Sequence, residues 1–461
     1  MDDSREFVRS DAAAAALGRA WLADDGWDLL TRLTELDDRL GGHPGDRRAA
    51  ELVADAFADA GVRNVREEPF ELNRWTRGRT ELAVTVPERS VERSFEAVAL
   101  PYSPAYEGDA PLVDVGYGTP AELDAADVAG AVAVTRTATP PDFGRPYHRA
   151  EKVGHAAAAG AEAFVFTNHV PGQLPPTGSL RFDAEAAIPG VGVSAETGDW
   201  LREYASEGAR ARLRVDADTE PGTSRNVVGA LGPGPEDAGD GDTADGDVVV
   251  VAHFDAHDVG EGALDNGCGI ATVAGMARIL AEMDLDRRVL VAGVSCEELG
   301  LIGSEALAAS RPLEDVHAVV NVDGAGRYRD LNALVHGSEA VADLATGVAD
   351  AVGHPVSVQE RPHPYSDHWP FLREGIPALQ LHSKSPDAEG TWDRGWTHTR
   401  ADTRDKADRR NLRAHAMLAA LFVRAVAATD LPRLDPDDLR RRLEEYGADE
   451  GMRAAGIWPG E

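Results

Sequence analysis

Two cysteines, Cys268 and Cys296, are all that this 461-residue chain contains, so no disulfide framework holds it together. Both read as small packing residues. Lysine is nearly missing: Lys152, Lys384 and Lys406 are the three, and arginine supplies the rest of 46 basic side chains. Against them stand 80 acidic residues, for a net charge of -34. That balance excludes the basic footprint a nucleic acid requires. No run reaches the roughly 18 apolar residues of a membrane-spanning helix. The opening MDDSREFVRS carries acid where a signal peptide needs a positive region, which makes a cytoplasmic protein the expectation.

The acid is spread along the whole chain rather than gathered in a tail. A compact protein so charged repels itself at low salt. At 1 M salt the Debye length falls to about 3 Å, so the composition predicts a halophilic protein.

The pattern changes along the chain. Residues 45–62 carry apolar positions at helical spacing, with Gly61 as the stop. VRNVREEPFEL then alternates like a half-buried strand. From about 75 to 220, short β-type runs separated by Gly and Pro suggest a β-rich domain with its own core, interrupted by one helix, YHRAEKVGHAAAAGA. The stretch 232–247 lacks anchoring apolar residues and reads as a solvated hairpin tip or a short disordered loop. Beyond it, DVVVVAHFD, RRVLVAGVSCEE, VHAVVNVDG and IPALQLHS are continuous apolar runs, suited to strands buried on both faces. Helical patterns lie between them. The reading is an α/β fold: a mixed, mostly parallel central sheet with helices on both faces, plus a β-rich inserted domain. The expected boundaries are 1–80 and 223–430 for the main domain, 81–222 for the insert, and 431–461 for a helical tail.

Ligands of open α/β sheets bind beyond the carboxyl ends of the strands. Three of the apolar runs end there in His253 and Asp255, in Glu297 and Glu298, and in Asp323. Asp265 follows the first strand in ALDNGCG, and His398 lies in TWDRGWTHTRADT. Imidazole and carboxylate are what zinc takes when no thiolate is offered. A bridging carboxylate, with one His and one further carboxylate per ion, makes a co-catalytic pair about 3.5–4 Å apart. Asp265, in a tight Asp-Asn-Gly loop at the rim, suits the bridge. One of the consecutive glutamates is placed to ligate while the other accepts a proton. Asp255, two residues after His253, is placed to hold the imidazole's other N–H.

The segments AHFDAHD, GALDNGCG, SCEELGLIGSEAL, VNVDG, YSDHWPF and THTRADT, in this order, resemble the di-zinc aminopeptidase and glutamate carboxypeptidase family of metallopeptidases. The resemblance covers about 225 to 430 and the segment before 75. It implies a zinc-exopeptidase fold of about eight strands and two Zn2+ ions: one on His253 and Asp323, the other on Glu298 and His398, with Asp265 between them. It implies Glu297 as general base, Asp255 as the residue orienting His253, and a cis peptide at Asp265–Asn266. Tyr365 is its candidate oxyanion stabiliser, Asp367 and His368 are supporting residues, and Asp402 braces the loop of His398. GTPAELDAADVAGAVAV, AEKVGHAAAAGAEAFVFTN and IPGVGV are similar to the protease-associated domain often inserted in this family. Cys268 and Gly269 stand where the family usually has other small residues. Trp392 and Trp396 flank the last ligand loop, and no acidic amine-binding residue is evident. His257, His363 and His382 read as structural or rim residues.

The expected function is a zinc-dependent exopeptidase, foremost an aminopeptidase acting on peptides through a metal-bound hydroxide. A carboxypeptidase or acyl-peptide hydrolase on the same site, a glutaminyl-cyclase-like transferase with a single zinc, and a non-catalytic receptor-like binding protein are the alternatives. The last expects lost ligands, and none is lost. Whether the chain forms a homo-oligomer stays open.

Overall fold

The computed structural model describes residues 11–234, 245–386 and 395–459. The first ten residues, most of the 232–247 stretch and Trp392 lie outside the described residues.

Among the described residues, fourteen strands form one continuous hydrogen-bonded system. The first seven are β1 (Arg63–Val86), β2 (Val91–Phe95), β3 (Val98–Ala99), β4 (Tyr106–Asp114), β5 (Val132–Arg136), β6 (Ala163–Thr167) and β7 (Gly190–Val193). The rest are β8 (Arg210–Leu231), β9 (Asp247–His253), β10 (Val289–Val294), β11 (Val316–Val322), β12 (Asp330–Leu334), β13 (Val356–Gln359) and β14 (Ala378–Lys384). The main sheet runs β13-β12-β14-β11-β9-β10-β8 and gains the first half of β1 beside β8. Its centre, β10-β9-β11-β14, is parallel, and β12 and β8 enter antiparallel. This is the mixed, mostly parallel sheet expected from the apolar runs.

Those runs are apolar throughout because both of their faces are covered. Val248 and Val250 of β9 join a core with Leu30, Phe57, Ile270 and Phe422. That core lies under the helices Asp25–Thr34, Pro44–Asp59, Cys268–Leu280 and Arg409–Ala428. Val249 and Val251 face the other way, toward Leu307, Trp369, Phe371 and Leu439. Successive side chains of a strand alternate between faces, so a strand between two helix layers must be apolar at every position.

The insert builds a second sheet, β2-β1-β8-β4-β5-β6-β7-β3. The sequence reading ends the first strand near residue 72. Instead β1 continues to Val86, paired antiparallel with β8 from Arg63↔Ala230 to Thr85↔Arg210. Its alternation persists beyond residue 72, with Trp75, Leu82, Val84 and Val86 buried. Two register shifts, at Arg63/Arg66 and Arg77/Thr80, bend the ribbon on its way from one sheet to the other.

The tail forms the helices Pro436–Glu445 and Ala448–Ala455. The second of these packs on the insert helix Arg149–Ala158. The approach is close enough that a Cβ at Gly154 would stand 2.4 Å from the Ala454 carbonyl oxygen. Among the described residues, no helix is long and apolar enough to cross a membrane.

Phe422 is fully buried in the helix that covers the parallel strands. Phe422→Ala is expected to cost about 3–5 kcal/mol, read as a lower midpoint in urea unfolding.

Candidate metal centre

β9, β10 and β11 are parallel and in register, Val294 opposite His253 and Asn321 opposite Val251. Their carboxyl ends therefore finish at one level. His253 closes β9, Glu297 and Glu298 follow β10, and Asp323 follows β11. The turn Ala263–Gly267 brings Asp265 to the same rim, and its Asp265–Asn266 peptide is cis, as the resemblance implies. His398 reaches it from the loop before the last long helix, in left-handed backbone at φ +59°. Cys296 is left-handed as well, at φ +61°, and turns the chain so that the glutamate pair follows it over the rim.

The ligand-type atoms fall into two groups. His253 Nε2 lies 3.3 Å from Asp265 Oδ1 and 3.9 Å from Asp323 Oδ1. His398 Nε2 lies 3.2 Å from the other Asp265 oxygen, Oδ2, and 3.3 Å from Glu298 Oε2. Ligands 2.0–2.1 Å from a tetrahedral zinc stand about 3.3 Å from each other. Four of the five residues meet that spacing, while Asp323 stands wider. The imidazole Nε2 of His253 is buried without a hydrogen-bond partner, as a nitrogen turned toward a cation would be. The donor set therefore fits a metal pair with Asp265 dividing its oxygens between the two positions.

The surrounding contacts hold these donors in place. Asp255 is fully buried. Its Oδ1 lies 3.3 Å from His253 Nδ1, and its two oxygens accept the backbone N–H groups of Glu297 and Glu298 at 3.1 and 3.3 Å. Asp402 accepts from the N–H of Leu264 at 2.7 Å and of Asp265 at 3.1 Å, so it braces the bridging residue from within the His398 loop. Ser366 donates to Asp323 Oδ2 at 2.8 Å, and Asn321 donates to Ser366 at 2.7 Å. His368 packs against Asn321 and bonds the His363 carbonyl through Nε2 at 2.8 Å. Asn266 donates to the Val322 carbonyl at 2.9 Å and accepts from Gly324 N–H at 3.1 Å. Gly269 has to stay bare for this, since a Cβ there would lie 2.0 Å from Asn266 Oδ1.

Burial works against charge here. It pushes Glu298 to about 7 and Asp323 to about 6, with Asp265 adding to both shifts. It pushes Asp367 to about 7 against the pull of His253, and Asp402 to about 7 against its backbone N–H bonds. Glu297, half-buried beside Asp367, Glu298 and Asp323, is raised well above the usual carboxylate range, chiefly by burial. Asp265 alone goes the other way: burial opposes it, but contacts from His253 and His398 outweigh that and hold it well below.

Several residues at the site carry no mark in a motif reading. Arg39 is buried and donates to the carbonyls of Leu33, Phe254, Glu261 and Gly262. It places a guanidinium near Asp255, Asp402 and Glu298. Thr177 of the insert meets His398 twice: its N–H donates to the His398 carbonyl at 2.8 Å, and its own carbonyl accepts from His398 Nδ1 at 3.3 Å. Arg77 donates to Asp258 at 2.6 and 2.8 Å and to Thr177 Oγ1 at 3.3 Å, fixing that segment. His257, read from sequence as a structural or rim residue, lies 2.8 Å from Glu298 through Nε2. Its only sequence signal is its place four residues after His253. Tyr365 stacks on His148 of the insert at 4.3 Å, and its charged neighbours are Glu151 and Arg145. The oxyanion role expected of Tyr365 finds no support in these contacts.

Residues 226–423 match Peptidase family M28, and residues 107–201 match the PA domain. The chain is similar to the curated protein Aminopeptidase YwaD of Bacillus subtilis (strain 168), 27% identical over 310 residues. That match takes in 65% of this chain and 65% of the relative, a little under two thirds of the relative's length. In fold it is similar to a Peptidase M28 precursor from Shewanella amazonensis, with TM-score 0.75, 22% identity, and 94% and 99% of the two chains covered. It is also similar to BSAP, a zinc aminopeptidase from Bacillus subtilis, with TM-score 0.67, 24% identity, and 87% and 94% covered.

In the metal-free fold, Glu298, Asp323, Asp367 and Asp402 sit at about 6 to 7 against ordinary values of 3.8 to 4.5. Their contribution to stability is full below about pH 4 and is lost as pH rises through 6 to 7. A cation takes the ionised ligands, so its stabilisation grows over the same range. The gap in Tm between zinc-loaded and chelator-treated protein is expected to widen from pH 5 to pH 8; an equal gap at both would contradict this.

Proposed function

The chain carries a peptidase family M28 domain with an inserted PA domain, and on that basis we propose that it is a zinc-dependent aminopeptidase, releasing N-terminal residues from peptides. The observation that carries the reading is Asp265, whose two oxygens face His253 and His398 separately, at 3.3 and 3.2 Å. Such a division of one carboxylate suits two Zn2+ ions rather than one. Bound there, the ions would supply Lewis acidity to a peptide carbonyl and lower the pKa of water toward about 7.

The chain's own residues do the rest. Glu297 accepts the proton of the attacking water and returns it to the departing amine. Asp255 holds the tautomer of His253 and, through the backbone N–H groups of both glutamates, keeps Glu297 facing the rim. Ser366 and Asp402 fix the carboxylates of Asp323 and the position of Asp265. The names of the relatives, an aminopeptidase and a zinc aminopeptidase, support hydrolysis from the amino end. The charge of -34 and the near absence of lysine support activity in concentrated salt.

Assays belong in molar KCl, with aminoacyl reporter substrates and their N-acetylated counterparts. Cleavage of the free amines alone is expected; cleavage of blocked substrates alone would replace the aminopeptidase reading with a carboxypeptidase-like one. Glu297→Gln is expected to keep its zinc and lose about 10²–10⁴-fold in kcat. A wild-type rate in that variant would remove Glu297 as the base. Asp265→Ala is expected to lose metal along with activity, read by elemental analysis.

A further inference from the structure

The two halves of the centre are unequal. His253, Asp265 and Asp323 make one, while the other gathers a residue that stands outside the five ligands already described: His257, with Glu298 and His398. His257 is 5% exposed. Its Nε2 lies 2.8 Å from Glu298 Oε2, and its ring meets the His398 ring edge-on at 4.6 Å between centroids. Yet neither ring nitrogen of His257 has a hydrogen-bond partner. The contact with Glu298 therefore has hydrogen-bond length without hydrogen-bond direction: the nitrogen and the oxygen are near neighbours that do not point at each other. Leaving a buried polar group unpaired costs about 1–3 kcal/mol. The same orphaned state is found at Nε2 of His253, where the family resemblance already calls for a cation. One cation between Glu298, His398 and His257 would satisfy the orphaned Nε2 and explain why imidazole and carboxylate crowd together without bonding.

We propose that His257 is a further ligand of the second metal ion. That position then presents four protein donors, His257, Glu298, His398 and one oxygen of Asp265, and is closed. The first position presents three, His253, Asp323 and the other oxygen of Asp265, and is open. Structural zinc sites use four protein ligands, whereas catalytic ones use three and keep a position for water or substrate. The inference rests on the paired-metal reading and makes the pair asymmetric: the second ion is the firmly held anchor, and exchange with solvent and substrate belongs to the first. His257 Nδ1 lacks the second anchor that Asp255 gives His253 and Thr177 gives His398, so His257 is the least constrained donor of its set.

The test uses the full chain, stripped with a chelator and reloaded with Zn2+ or Co2+ alone. Wild-type protein is expected to bind two ions. His257→Phe is expected to bind two, with one affinity reduced at least 10- to 100-fold, the loss that removal of an outer-shell partner already causes, and with an altered visible cobalt band. His257→Cys supplies a donor of another kind; it is expected to recover affinity and to show a thiolate-to-cobalt charge-transfer band in the near ultraviolet. Wild-type affinities and an unchanged cobalt spectrum in His257→Phe would overturn the proposal. So would a folded His257→Cys that binds two cobalt ions with no charge-transfer band. Fewer than two ions on the wild-type protein would instead overturn the paired-metal reading itself, whatever the variants do.

Discussion

One buried carboxylate organises the centre. Asp255 sits just past the end of the first parallel strand, where it meets the imidazole of His253 and receives the main-chain N–H groups of Glu297 and Glu298 from the neighbouring strand. A proposed ligand of one ion, a proposed ligand of the other and the proposed base are thereby tied to a single rigid point. Two strands that merely ended at the same level would leave those side chains without this common anchor. Hydrogen bonds to a charged acceptor are stronger than those between neutral groups, and they gain strength in a dry surrounding. Close by, Cys296 and His398 both adopt left-handed backbone, a conformation that side-chain-bearing residues take at a cost.

Much of the fold and most of the site were legible beforehand because both rest on short-range pattern. Valine runs with no polar break suit strands covered on both sides. The rule that chemistry gathers at their carboxyl ends singled out His253, Asp255, Glu297, Glu298 and Asp323 without any coordinates. Asp265 and His398 came from loop motifs. What pattern could not give was contact across the domain division. Tyr365 belongs to a segment whose neighbours include the insert, and nothing local in YSDHWPF says that His148 would stack on it. Arg39 was illegible for the opposite reason: a lone arginine in the loop between two helices carries no mark of burial, and its place near Asp255 follows only from the packing of distant elements. The first strand shows a third kind of limit. Composition changes near residue 75, yet the backbone ladder does not, because a paired ribbon needs alternation and not any particular residue.

The insert is more than an appendage to the main domain. Through Thr177 it touches His398 on both sides, and Arg77 of the shared ribbon holds that segment against Asp258. The C-terminal helix Ala448–Ala455 closes on the insert from elsewhere in the chain, with Gly451 and Gly154 allowing the close approach. The pair of half-buried Arg145 and buried Glu151, at 2.7 Å, lies at this junction.

The ladder of β1 and β8 runs unbroken from one sheet into the other. An accessory domain joined by a loose tether can be excised and its host recovered. Here a cut on either side would sever two strands in mid-ladder, expose their unpaired edges and take away the main-chain groups that hold His398. Main domain and insert therefore share one uninterrupted ladder, and the two are expected to fold as one unit that trimming at the compositional seam would cut through.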